Sequence, residues 1–180
     1  ALDSKVALKL TTDESEALAS EKIRETPVEK VVEIYDVFSL AGTQYFCIVQ
    51  DRLQPLEPPL AAELKKIFTN FDLGDYLQGN GYDPDAVIKM AKADVAEMHD
   101  HGDFAKARAL NDQLNRLKEL GLFDMARELK KAGIQFHDYH DGNLMLRGKE
   151  LVVIDLGKSR VAGGKKPGVV ENWKMQMEWR

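Results

Sequence analysis

A chain of 180 residues that is 44% hydrophobic and 31% charged can bury one core, as a single domain or as two small lobes flanking a cleft. Its formal net charge of −5 argues against a protein that coats nucleic acid, and no apolar run approaches the roughly 20 residues of a membrane span. The one cysteine, Cys47, excludes an intrachain disulfide and points to a reducing, cytoplasmic setting; within Tyr45-Phe-Cys-Ile-Val it reads as a buried, inert thiol.

Lys5-Val-Ala-Leu-Lys-Leu10 reads as a strand in which apolar residues separate Lys5 from Lys9. Thr11-Thr-Asp-Glu then opens a helix. Asp13 is its N-cap, with Glu16 three positions on as a variant of the capping box, and Pro27 stops it after about Glu25. Two strand-like runs, 31–38 and 45–49, are joined by the hairpin-sized Ser39-Leu-Ala-Gly-Thr-Gln44. The character then changes, because three prolines within five residues, Pro55-Leu-Glu-Pro-Pro59, make a stiff crossing and a boundary.

Beyond the crossing the spacing of apolar residues predicts helices over 60–71, 83–99 (with Pro84 in the first turn), 104–120 and 122–132, the last closed by Gly133. A polar loop from Phe136 leads into Leu144-Met-Leu, the turn Arg147-Gly-Lys-Glu and Leu151-Val-Val-Ile, which together predict a hairpin. In the tail, Trp173, Met175, Met177 and Trp179 alternate with polar residues, as in an amphipathic strand or a docking helix. This order of elements predicts an α+β fold in two unequal parts, residues 1–52 and 53–180.

The chemistry-bearing residues crowd into 136–157, Phe-His-Asp-Tyr-His-Asp-Gly-Asn-Leu-Met-Leu-Arg-Gly-Lys-Glu-Leu-Val-Val-Ile-Asp-Leu-Gly. Asp138 and Asn143 stand in one loop, and Asp155 ends an apolar strand. A loop and a strand end can aim carboxylate and amide oxygens at one point, and such ligands suit Mg²⁺ carrying a nucleotide's phosphates. Phosphoryl transfer asks little more of a protein than metal, a carboxylate to orient the attacking hydroxyl and a lysine on the phosphates. Lys9 is positioned on its strand for that last role. The four histidines offer a competing pattern, zinc ligated through His137 and His140 or His99 and His101. Zinc sites add further Cys or His at tight spacing, whereas Cys47 lies in a distant strand, and His99 and His101 suit the carbonyl end of a helix.

Val6-Ala-Leu-Lys9 resembles the V-A-I-K strand of protein kinases, Asp138-Tyr-His-Asp-Gly-Asn143 their D-x-x-x-x-N catalytic loop, and Asp155-Leu-Gly157 their D-F-G. The three motifs stand in the family's order, and the resemblance spans most of residues 5–157. His140, in D-x-H-x-G-N, brings the loop closer to the aminoglycoside and choline phosphotransferase branch. The resemblance implies a bilobal protein-kinase-like fold: a small β-rich lobe over 1–52, incomplete at its N-terminal side, and a helical lobe over 53–180. It implies an ATP- and Mg²⁺-dependent kinase moving the γ-phosphoryl group to a hydroxyl on a protein or a small molecule. In that role Asp138 is the catalytic base, and Asn143 and Asp155 hold Mg²⁺. Lys9 pairs with the phosphates and with Glu16, or else Glu21, and Asp51 and Leu53 belong to the hinge against which adenine lies. His140 braces the loop. No A-P-E follows Asp155, and no glycine-rich loop lies in the eight residues before Lys9; the second departure favours the alternative of an inactive kinase-like module that binds a partner.

Overall fold

The computed structural model describes residues 5–161 and 167–170. Strand β1 (Val6–Thr11) turns Lys9 inward and leaves Leu8 and Leu10 exposed. Helix α1 (Glu14–Glu25) starts at Asp13, whose Oδ1 accepts the backbone N–H groups of Ser15 at 2.8 Å and Glu16 at 3.4 Å. A capping box would send the Glu16 side chain back to the Asp13 N–H. Thr11 Oγ1 accepts that proton instead, at 3.0 Å, so the expected box does not form and the Glu16 carboxylate is free for another partner.

Strands β2 (Ile34–Leu40) and β3 (Phe46–Asp51) form the expected antiparallel hairpin. β3 lies between β2 and β1, and a short parallel strand, β8 (Gly168–Val170), adds to the far side of β2. Cys47 faces the interior, where burial pushes its thiol pKa up. Ala17, Ala19 and Ile23 of α1 belong to the same buried core as Ile34, Val37 and Ile48 of the sheet, because the alternation of the strands and the period of the helix each turn one apolar face inward.

After the proline crossing come α2 (Pro58–Asn70), α3 (Leu73–Gly79), α4 (Pro84–Asp100), α5 (Phe104–Glu119) and α6 (Leu122–Lys131). The prolines start α2 rather than delaying it, since a first-turn residue has no helical acceptor for its N–H. Helix α3 is not expected from the sequence. It lies between the expected helices 60–71 and 83–99, in a stretch holding Gly74, Gly79 and Asn80-Gly81; the Asp72 side chain caps it, and Leu73 and Leu77 are buried. Arg116 of α5 grips both oxygens of Glu63 on α2, at 2.7 and 3.0 Å. Gly133, at φ +79°, ends the turn after α6.

The short strands β4 (Ile134–Gln135) and β7 (Arg160–Val161) pair with each other, and β5 (Leu144–Arg147) and β6 (Glu150–Val153) form the expected hairpin. Backbone bonds lace this hairpin to the sheet side of the molecule. Val32 N–H donates to Val153 at 2.8 Å, Val153 N–H to Lys30 at 3.0 Å, and Gln54 and Leu146 exchange bonds at 3.0 and 2.8 Å. The Arg147 guanidinium, expected only as a turn residue, donates to the carbonyls of Glu29 and Val31. One core, including Ile23, Val31 and Ile48 together with Leu64, Leu117, Phe123 and Val152, runs through the α+β structure. Among the described residues no helix is long and apolar enough to cross a membrane. Trp173, Met175, Met177 and Trp179 lie outside the described residues.

Candidate functional site

Lys9, Glu16 and Asp155 come from three distant parts of the chain and meet at one point. The Lys9 ammonium pairs with the Glu16 carboxylate and lies 2.7 Å from Asp155 Oδ2. Of the two glutamates open to the lysine, Glu16 is its partner. Glu21 is also buried, but its carboxylate is held by Arg24 at 2.6 and 3.0 Å. Burial disfavours all three charges in the triad, with different outcomes. At Lys9, hydrogen bonds to Asp155 and Glu16 outweigh it and hold the ammonium above the usual lysine range. At Asp155, bonds from Lys9 and the Gly157 N–H outweigh it and hold the carboxyl below the usual range. At Glu16 burial wins over the attraction of Lys9, and the carboxyl stays above its usual range.

The second group is Asp138 with Asn143. The Asn143 side-chain amide donates to the Asp138 carbonyl at 2.8 Å and to its Oδ2 at 3.2 Å, which commits the nitrogen and leaves the amide oxygen turned away from that carboxylate. His140 Nδ1 accepts the Gly142 N–H at 3.1 Å and braces the loop, placing Nε2 3.8 Å from Asp138 Oδ2. The two groups are linked through the backbone: the Asn143 carbonyl accepts the N–H of Ile154, the residue before Asp155, at 3.0 Å.

Asn143 and Asp155 are the residues that would hold a Mg²⁺ ion bound together with phosphate. One amide oxygen and one carboxylate are few ligands for a cage, but they suit a cation that keeps waters and takes phosphate oxygens. Among the described residues no three His, Cys, Asp or Glu side chains form a metal-binding group. His101 instead bonds the Glu97 carbonyl at the end of α4, and the His99 ring packs on Phe104.

Asp51 and Leu53 share no hydrogen bond or ion pair with either group among the described residues. The Asp51 carboxylate accepts the Tyr35 hydroxyl at 2.5 Å and faces Arg147 at 3.7 Å. The backbone N–H groups of Asp51 and Arg52 donate to Glu33 and Lys5, so neither of those two amides is free for a base. Leu53 packs against the core.

Beside Asp138 a cavity of about 400 Å³ opens between the loop and the α2–α3 corner, lined among others by Lys65, Phe68, Asp72, Asp75, His137 and Tyr139. A second cavity, of about 350 Å³, lies between residues 26–29 and the end of α6 and includes none of these groups.

Three contributors escape the motifs. Gly74 of α3 lies so close to the loop that a Cβ there would stand 1.7 Å from the His137 carbonyl oxygen. Asp13 uses Oδ1 to cap α1, and its Oδ2 accepts the Lys158 N–H at 3.3 Å. Lys158 itself places Nζ 3.9 Å from Asp138 Oδ2. Only the Asp13 cap was legible in the sequence.

The double use of Asp13 has a measurable signature. Burial works against its charge, but bonds from Ser15, Lys158 and Glu16 hold its carboxyl below the ordinary value. A folded-state pKa below the unfolded one stabilises above the unfolded value, near pH 4, and that contribution is lost as pH falls through the folded value. Asp13→Ala is therefore expected to cost about 1 kcal/mol at pH 7, the usual worth of such a cap. The gap from the parent should narrow as pH falls below 4. Urea midpoints at pH 7 and pH 3 measure it, and a gap unchanged at pH 3 would refute the assignment.

No family model matches the sequence, and no curated protein matches it.

Proposed function

We propose that the protein is a bilobal, protein-kinase-like phosphotransferase that moves the γ-phosphoryl group of ATP to a hydroxyl. The observation that carries this reading is the Lys9 ammonium held between Glu16 and Asp155, next to an Asp138–Asn143 pair in one loop. Lys9 is the cation for the phosphates, and Glu16 keeps it extended from β1. Asn143 and Asp155 would hold Mg²⁺, which when bound supplies neutralisation of the phosphate charge. The acceptor hydroxyl gives its proton to the Asp138 carboxylate as its oxygen bonds to the γ-phosphorus. The bond from that phosphorus to the β–γ bridging oxygen breaks, and ADP leaves. Residues 50–53 would face the adenine.

The acceptor side of the site is the 400 Å³ cavity beside Asp138. Asp72, Asp75 and Asp141 line it against a single lysine, Lys65, and this balance suits a hydroxylated acceptor carrying positive charge, whether a small amine or a basic peptide.

Thermal unfolding with Mg·ATP tests the nucleotide side. A ligand at about 100 times its Kd adds about 2.7 kcal/mol by mass action, a rise of about 5–10 °C in Tm for a chain of this size. Asp155→Ala should lose the magnesium-dependent part of that rise. A parent protein that shows no shift with ATP at millimolar concentration, with or without Mg²⁺, would sink the reading.

A further inference from the structure

Leu156-Gly-Lys-Ser159 is a turn closed by the Ser159 N–H on the Leu156 carbonyl at 3.3 Å. Its third residue has a left-handed backbone, φ +59°, a place that glycine or asparagine takes at least cost. Here the residue is Lys158, and the glycine sits one position earlier. Gly157 is closely approached by its neighbours: a Cβ there would stand 3.0 Å from Asp155 Oδ1 and 3.4 Å from Asp13 Oδ2. Among the described residues Tyr82 is the one other non-glycine with positive φ. The strained backbone is held in place, because the Lys158 N–H donates to Asp13 Oδ2, the oxygen left over from the α1 cap.

Stability does not account for a lysine in this position. Its side chain is 70% exposed, and among the described residues its ammonium faces one carboxylate, Asp138, at 3.9 Å, an arrangement worth little in water. Strain retained at such a position points to function. Residues 139–142, Tyr-His-Asp-Gly, carry no lysine or arginine. Among the described residues Lys158 is the one lysine or arginine within ion-pair distance of Asp138. At 3.9 Å its ammonium stops short of a hydrogen bond to the carboxylate, and its protons remain available to another acceptor.

We propose that Lys158 binds the γ-phosphoryl oxygens during transfer, supplying from the turn after Asp155 the fixed positive charge that the Asp138–Asn143 loop lacks. The inference rests on the phosphotransferase reading. Lys9 holds the nucleotide's inner phosphates at one end, and Lys158 stabilises charge on the group in flight between the β–γ bridging oxygen and the oxygen activated by Asp138. It forms no bond to phosphorus and exchanges no proton.

Hydrolysis of Mg·ATP, with water as the acceptor, tests this without knowledge of the natural substrate. The parent, Lys158→Arg, Lys158→Gly and Asp138→Ala are compared by phosphate release, by Mg·ADP binding and by thermal midpoint. Lys158→Gly removes the charge and relieves the left-handed strain, so it should fold at or above the parent midpoint. Its kcat should nonetheless fall about 100-fold, with KM for ATP within about threefold and Mg·ADP binding unchanged. Lys158→Arg should keep kcat within about tenfold. Parent-like kcat in Lys158→Gly, or equal loss in Arg and Gly, overturns the role of Lys158 and leaves the phosphotransferase reading standing if Asp138→Ala is inactive. Phosphate release by the parent no faster than by Asp138→Ala overturns both.

Discussion

Asp138→Ala should lower phosphoryl transfer by about 10²- to 10⁴-fold, the range for losing a positioned general base, and should leave Mg·ADP binding within about twofold of the parent. The expectation is specific because the substitution leaves its surroundings in place. The Asn143 amide keeps its stronger bond, the one at 2.8 Å to the backbone carbonyl of residue 138, and loses only the one at 3.2 Å to the carboxylate. His140 keeps its bond from the Gly142 N–H, so the loop retains its shape. Lys9, Glu16 and Asp155 do not touch the Asp138 side chain. Steady-state turnover alongside ADP titration measures the split. Full activity in the variant would remove Asp138 from the chemistry, and parallel loss of turnover and ADP binding would mean that the loop had collapsed.

Gly74→Ala should have the largest effect on stability of any single methyl group added to the site. The new Cβ would stand 1.7 Å from the His137 carbonyl oxygen and 2.8 Å from its carbon. Both atoms are backbone, so no side chain can swing aside. Either α3 or the loop must move, at a cost of about 3 kcal/mol, the upper end for overpacking. That corresponds to a fall of about 6–12 °C in Tm at this chain length. His137 precedes Asp138, so turnover should fall further than the loss of folded protein explains. Gly79→Ala is the control. It lies in the same helix with nothing within 4 Å of the added methyl, and it should be neutral or slightly stabilising. Equal midpoints for the two variants would show that α3 does not press on the loop.

Gly74 also marks where sequence reasoning ends. Position 74 reads as one more breaker in a glycine- and asparagine-rich stretch, because composition reports what a residue tolerates locally and says nothing of what approaches it. Helix α3 escapes notice for the same reason: its propensity is poor, and buried Leu73 and Leu77 hold it in place. The choice between Glu16 and Glu21 is similar. Five residues along a helix separate two side chains by about 140°, and both are good helix formers with a plausible partner. Only the packing of α1 against the sheet turns Glu16 toward Lys9 and leaves Glu21 to Arg24 three residues on.

What the sequence determined by itself is the local grammar. Asp13 starts α1, Pro27 bars its continuation, Gly133 ends the turn after α6, and alternation with a glycine turn makes the 144–153 hairpin. These are short-range rules of capping, backbone freedom and period, and each acts within a few residues. The pairing of Asn143 with Asp138 is local in the same way, since both stand in one loop. Tertiary structure decided everything that joins distant segments: which glutamate meets Lys9, the second use of Asp13 as an anchor for Lys158, the pressure of Gly74 on the loop, and β8 beside β2. Those contacts depend on the rotation and approach of packed elements, which core volume and hydrogen-bond satisfaction fix only when the whole chain has folded.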